Sequence, residues 1–280
     1  MASTLPSPVH GSTHEPVFAT MYDVMIFDSS CLNSTSCAGE QVEHLVEYYG
    51  ADWCEPCVLI EEAIDLLNRT DTFVMQHHPS VVDASFLNAS KLRFENEHRL
   101  LFLPSIVVDG KGLLTGSSQG LELSNVLSQR STSYEGLSEV ELVNGSLTWQ
   151  ASQGDRVSVW RTEAMEHPNR NRTHPSLATG MMKFNASNGS GNVSSLLENF
   201  NGSLVVVLEQ TGVYQLVSDS LNPTGGVELY DESEKGQIIG NQGMSPGQRA
   251  SLWTGILVAA LAPAIYMRWN LSKQTIQEEE

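Results

Sequence analysis

Two cysteines two residues apart, in the stretch Gly50-Ala-Asp-Trp-Cys-Glu-Pro-Cys-Val58, stand where an apolar run gives way to a helical repeat. "EHLVEYYGA" ahead of them reads as a strand. "VLIEEAIDLLNR", Val58 to Arg69, places Val58, Leu59, Ile60, Ala63, Leu66 and Leu67 on one helix face. The chain must therefore pass from strand to helix at the pair itself. That position puts Cys54 at the predicted helix N-terminus, where unpaired N–H groups and the helix dipole favour a thiolate, the attacking species in disulfide exchange. Cys57, one turn on, faces the same side and can release a mixed disulfide by attacking the Cys54 sulfur. Trp53 and Pro56 limit the freedom of the loop, and the charge of Glu55 beside Cys54 opposes the thiolate.

The patterns around this unit predict the order β-β-α-β-α-β-β-α. "VFATMYDVMIF" and "TFVMQHH" read as strands, "SFLNASKLRFENEHRL" as a crossover, "PSIVVDG" and "GLLTGS" as a hairpin turning at Asp109-Gly110-Lys111-Gly112, and "LELSNVLSQR" as a closing helix. From Glu139 the texture changes to short alternating runs between turn residues, with a hairpin at Asn144-Gly145, which predicts an antiparallel, sandwich-like β domain.

The string "YYGADWCEPC" followed by a helix, a strand and "LFLPSIVVDG" resembles the thioredoxin superfamily over roughly residues 20 to 130. The resemblance implies an α/β thioredoxin-like domain that catalyses thiol–disulfide exchange on protein substrates, with no cofactor. It implies that Pro104, after Leu103, is a cis-proline facing the cysteine pair, which leaves the preceding backbone free to dock a substrate strand. It also implies a buried acid acting as a proton relay six residues before the first cysteine. Tyr48 occupies that place here, and Glu47 beside it becomes the candidate if the strand register allows. A looser similarity extends to secreted thioredoxin-like proteins of unassigned function with a β-rich C-terminal half.

Cys31 and Cys37, in "CLNSTSC", read as a structural disulfide or as a second dithiol passing electrons to or from the first pair. An even number of cysteines suits an oxidising compartment. Two other function classes compete. Cys54 and Cys57 with His77 could hold copper or zinc, as in a metallochaperone, with His78 adjacent. Alternatively, the pair stays oxidised and the chain is a redox-silent binding module. Asp109-Gly110-Lys111-Gly112 lacks the Walker spacing, and "HPNRNRTHP", His167 to Pro175, reads as a loop.

The net charge of −18 excludes nucleic acid as a partner, because nothing could neutralise a run of phosphates. The uncharged "SLWTGILVAALAPAIYM", with Trp253, Tyr266 and Trp269 near its two ends, predicts a single-pass transmembrane helix, with Arg268 and Lys273 on the cytoplasmic side. Asn-X-Ser/Thr signals at Asn33, Asn68, Asn88, Asn144, Asn171, Asn185, Asn188, Asn192, Asn201 and Asn270 exceed the roughly three expected by chance and suit an extracytoplasmic glycoprotein. The start of the chain lacks a signal-peptide pattern, so either such a segment is missing from it or the protein is tail-anchored. The expected organisation is a disordered tail (1–16), a thioredoxin-like domain (17–132), a β domain (138–231), a stalk (232–250), a transmembrane helix (251–269) and a cytoplasmic tail (270–280). The membrane could supply an electron donor or acceptor.

Overall fold

A computed structural model describes residues 17–30, 36–67, 69–220 and 222 of the chain. The first strands are β1 (Phe18–Phe27), the short β2 (Cys37–Ala38) and β3 (Glu40–Gln41), and β4 (His44–Tyr49). The helix α1 (Cys57–Asp65) leads to β5 (Thr72–His77), and α2 (Asn88–Leu92) runs into a π-helical turn over Arg93–Glu97. Then come β6 (Ser105–Val108), β7 (Gly112–Thr115), α3 (Gly116–Gly120) and α4 (Leu123–Gln129). The rest is strand: β8 (Leu137–Val143), β9 (Ser146–Ala151), β10 (Arg156–Glu166), β11 (Thr173–Asn185), β12 (Ser190–Asn192), β13 (Gly202–Gln210), β14 (Val213–Tyr214) and β15 (Val217–Ser218).

These elements do not form the expected α/β thioredoxin-like domain followed by an all-β sandwich-like domain. The fold is mostly β, and strands from both halves of the sequence share one sheet in the order β14-β1-β13-β10-β11-β5-β4-β6-β7-β15, with β3 on β1. The N-terminal β1 pairs antiparallel with β13, from Thr20↔Gln210 to Phe27↔Leu204, and β11 meets β5 in parallel at Leu177↔Gln76. The physical reason lies in β13: Leu204 to Leu208 are buried on both faces and need a strand on each edge. β1 and β10 provide those edges. Only Gln215 and Leu216 separate β14 from β15, so the two ends of the path come together and the sheet curls. A second sheet, β12-β9-β8-β2, covers one face of this region. Leu204, Val206 and Leu208 pack there with Leu147 and Trp149, whereas Val205 and Val207 pack on the other face with Leu45, Met75 and Trp160.

The expected transmembrane helix at 251–269 lies outside the described residues, as do the tail at 1–16, the stalk and the cytoplasmic tail. Among the described residues, no helix is long and apolar enough to cross a membrane.

Three features of this fold position the site. β4 is flanked by β5 in parallel and by β6 antiparallel. α1 follows β4 directly and covers Val46, Tyr48, Ile106 and Leu114 with Ile60 and Ile64. The β6–β7 turn takes left-handed backbone at Asp109 (φ 54°) and Gly110 (φ 62°), which an Asp-Gly pair adopts at little cost.

Candidate functional site

Cys54 and Cys57 are joined in a disulfide. Cys57 opens α1 behind Pro56, so Cys54 lies three residues ahead of the helix, in a turn closed by Cys57 N–H donating to its carbonyl oxygen at 3.3 Å. The predicted helix start at Cys54 is therefore one turn too early, because Pro56 supplies a preset φ at the N-cap and the helix proper begins after it. The two sulfurs differ in access. Cys57 is sealed in the core, whereas Cys54, 4% exposed, lines an open groove of about 530 Å³. Trp53, Pro56, Phe94, Phe102 and Leu103 share that groove, and Glu55 and Glu95 stand among its walls. Trp53 is 59% exposed and Phe102 58%, a large apolar surface for side chains without an evident packing role. Trp53 is held in place by its Nε1–H donating to Ser80 Oγ at 3.1 Å. The Leu103–Pro104 peptide bond is cis.

Glu47 is not brought to this site. Residues alternate across β4, so Val46 and Tyr48 face α1 and the cysteines while Leu45, Glu47 and Tyr49 face the opposite side. There, fully buried, Glu47 accepts from Arg93 Nε and from Arg93 Nη2 at 3.2 Å. Burial opposes its ionisation, but the charge of Arg93 outweighs burial and holds the carboxyl well below the usual range. His77 points the same way as Glu47. Its ring stacks on Tyr49 at 4.7 Å, meets Trp160 edge-on and bonds Ser90 Oγ at 2.9 Å. The set Cys54, Cys57 and His77 is thus split between two faces of the sheet and does not form one metal site.

The acid on the cysteine side is Glu61, which sequence reasoning missed. It lies on α1 one turn after Cys57, is buried, and pairs with Arg172 Nη1 at 2.6 Å. The Tyr48 hydroxyl lies within reach of both the Glu61 carboxylate (3.3 Å) and the Cys57 carbonyl oxygen (3.5 Å). Burial raises the Glu61 carboxyl above its ordinary value despite Arg172. The signal was an acid at the i+4 position from Cys57; the face that is buried is Cys57, Ile60, Glu61 and Ile64, not the one read through Val58, Leu59, Ala63, Leu66 and Leu67, of which Leu59 and Leu66 are exposed.

Asp52, His78, His167 and His174 form a second group missed in the sequence. Of the segment His167 to Pro175, read as a loop, residues 167–172 join β10 to β11, and Thr173 to Pro175 already belong to β11. The segment's two histidines are buried, and its Arg172 reaches back to Glu61. Cys37 is disulfide-bonded, and its expected partner Cys31 lies outside the described residues.

No family model matches the chain, and no curated protein does either. Among solved structures, a crystal structure of an Agrobacterium tumefaciens protein is similar at 14% identity and a TM-score of 0.39, over 61% of this chain and 80% of that one. A likeness that slight carries no argument about fold or function.

Proposed function

We propose that the chain exchanges thiols and disulfides with other proteins through Cys54 and Cys57. The observation that carries this reading is the asymmetry of the pair. Cys54 lines an open groove walled by exposed aromatic side chains, whereas Cys57 is closed off behind it. An extended, apolar stretch of a partner protein fits such a groove. In the reducing direction, the Cys54 thiolate attacks a substrate disulfide, forms a mixed disulfide and releases one substrate thiolate. Cys57 then attacks the Cys54 sulfur, expels the second substrate thiolate and closes the Cys54–Cys57 bond. Oxidation of a substrate dithiol runs the same steps backwards. On this reading the buried acid beside the resolving cysteine is Glu61, with Tyr48, in place of Glu47.

An oxidising, extracytoplasmic setting suits this chemistry. The disulfide at Cys37 supports it, and so does the surface position of Asn88, Asn144, Asn171, Asn185, Asn188, Asn192 and Asn201, all exposed and all within glycosylation signals.

Trapping tests the proposal. Cys57→Ser, incubated with an unfolded disulfide-containing protein, is expected to accumulate a mixed disulfide mapped by mass spectrometry to Cys54. An unmodified Cys54 after prolonged incubation would instead favour a redox-silent binding module.

A further inference from the structure

We propose that Asp52, His78 and His174 bind a divalent first-row cation of the zinc class, at a site separate from the cysteine pair. The three side chains come from three distant parts of the chain: the turn before Cys54, the end of β5 and the start of β11. All three are buried, and one donor atom from each lies within 4.8 Å of the others. His174 Nε2 stands 3.3 Å and His78 Nδ1 3.8 Å from Asp52 Oδ1, and the two imidazole rings meet edge-on at 4.7 Å. Ligands of one tetrahedral zinc, each about 2.0–2.2 Å from the metal, are roughly 3.3 Å apart, so small side-chain movements would close the set.

Hydrogen bonding within the group is incomplete. Asp52 Oδ2, His78 Nε2 and His174 Nδ1 are buried without a hydrogen-bond partner. Asp52 Oδ2 belongs to the proposed ligand carboxylate, and leaving it unpaired costs about 1–3 kcal/mol, which a bound cation or its water would relieve; the His78 and His174 nitrogens without partners are not the ones nearest Asp52. Asp52 is fixed from outside as ligands are in metal sites, its N–H donating to Asp83 Oδ1 at 3.0 Å. His78 Nδ1, the ring nitrogen placed 3.8 Å from Asp52 Oδ1, bonds Ser85 Oγ at 2.6 Å and would exchange that partner for the cation.

His167 has a different role. Its Nδ1 accepts Asn169 N–H at 3.0 Å, which leaves the proton on Nε2, 3.9 Å from Asp52 Oδ1. It therefore backs the carboxylate and does not complete the ligand set. Two imidazoles and one carboxylate leave a fourth position for water or an incoming ligand, and this nitrogen and oxygen set suits zinc. The site stands whether or not Cys54 exchanges disulfides.

The test uses the full chain in its oxidised form, which has no thiolate at Cys54 or Cys57, dialysed against zinc chloride. One zinc per chain is expected, with an X-ray absorption spectrum of nitrogen and oxygen ligands only, near about 2.0–2.1 Å. His78→Ala and His174→Ala should each lose the bound zinc. Asp52→Asn, which keeps the shape and removes the charge, should weaken binding by at least about tenfold. Cys54→Ser/Cys57→Ser should retain one zinc. Absence of stoichiometric zinc in the wild type, a sulfur ligand near about 2.3 Å, or a full equivalent still bound by folded His174→Ala would each overturn the proposal.

Discussion

Cys54→Ser is expected to reduce thiol–disulfide exchange to the uncatalysed background while leaving the fold in place. A serine hydroxyl is not ionised near neutral pH and cannot exchange with a disulfide. The remaining thiol of Cys57 is fully buried, so it has no path to a substrate. Loss of the cross-link costs little, because closing a loop of four residues stabilises by only about 2 kcal/mol. Cys57→Ser is the matched control. It loses the same cross-link and keeps the nucleophile that lines the groove, so it should still take up substrate at Cys54 without completing the cycle. Equal loss of substrate capture in both variants would contradict the assignment of attack to Cys54.

The largest stability effect is expected at Arg93, on the opposite face of the sheet. Its guanidinium is buried and donates to Glu47, to Glu97 at 2.9 Å and to Glu209 at 3.0 Å. It also lies over the rings of Trp160 and Tyr214 at 5.8 and 5.3 Å. Glu209 has a second cation, Arg156, at 2.9 Å, but among the described residues Glu47 has besides Arg93 only His77 and His98 within ion-pair distance. Burial, with Arg93 beside it, holds His98 near a pKa of about 4, so at pH 7 it adds no charge next to Glu47 while Arg93 is in place. Arg93→Met thus leaves a buried carboxylate without a counter-charge, which should cost about 3–5 kcal/mol of a total near 5–15 kcal/mol. Adding Glu47→Leu removes the stranded charge and should recover most of the loss. Denaturant unfolding of the two variants checks this. A loss below about 1 kcal/mol in the single variant, or no recovery in the double, would contradict the reading.

Much of the local structure was legible in the residues. The helix after the cysteine pair, the Asp109-Gly110 turn and the Asn144-Gly145 hairpin, with φ 48° and 78° at its two turn residues, all follow from short-range pattern. The assembly was not. β4 is buried along its whole length, so it shows no apolar and polar alternation from which its phase could be read. Glu47 and Tyr48 could not be told apart for that reason, and the relay candidate fell on the wrong face. The pairing of β1 with β13 joins residues from the two ends of the described chain. Each strand's pattern announced a strand but carried no address for its partner. The same limit hid the cluster of Asp52, His78 and His174, since each side chain alone looks like an ordinary surface residue until the strands close.

Thiol–disulfide exchange requires Cys54–Cys57 to be an exchangeable bond and not a structural one. The bond's reduction potential, measured by equilibration in glutathione or dithiothreitol buffers with mass-spectrometric counting of alkylated thiols, addresses that directly. A value between about −270 and −120 mV, the range of thiol–disulfide oxidoreductases, is the predicted result. A value below about −300 mV, typical of structural disulfides, would contradict it.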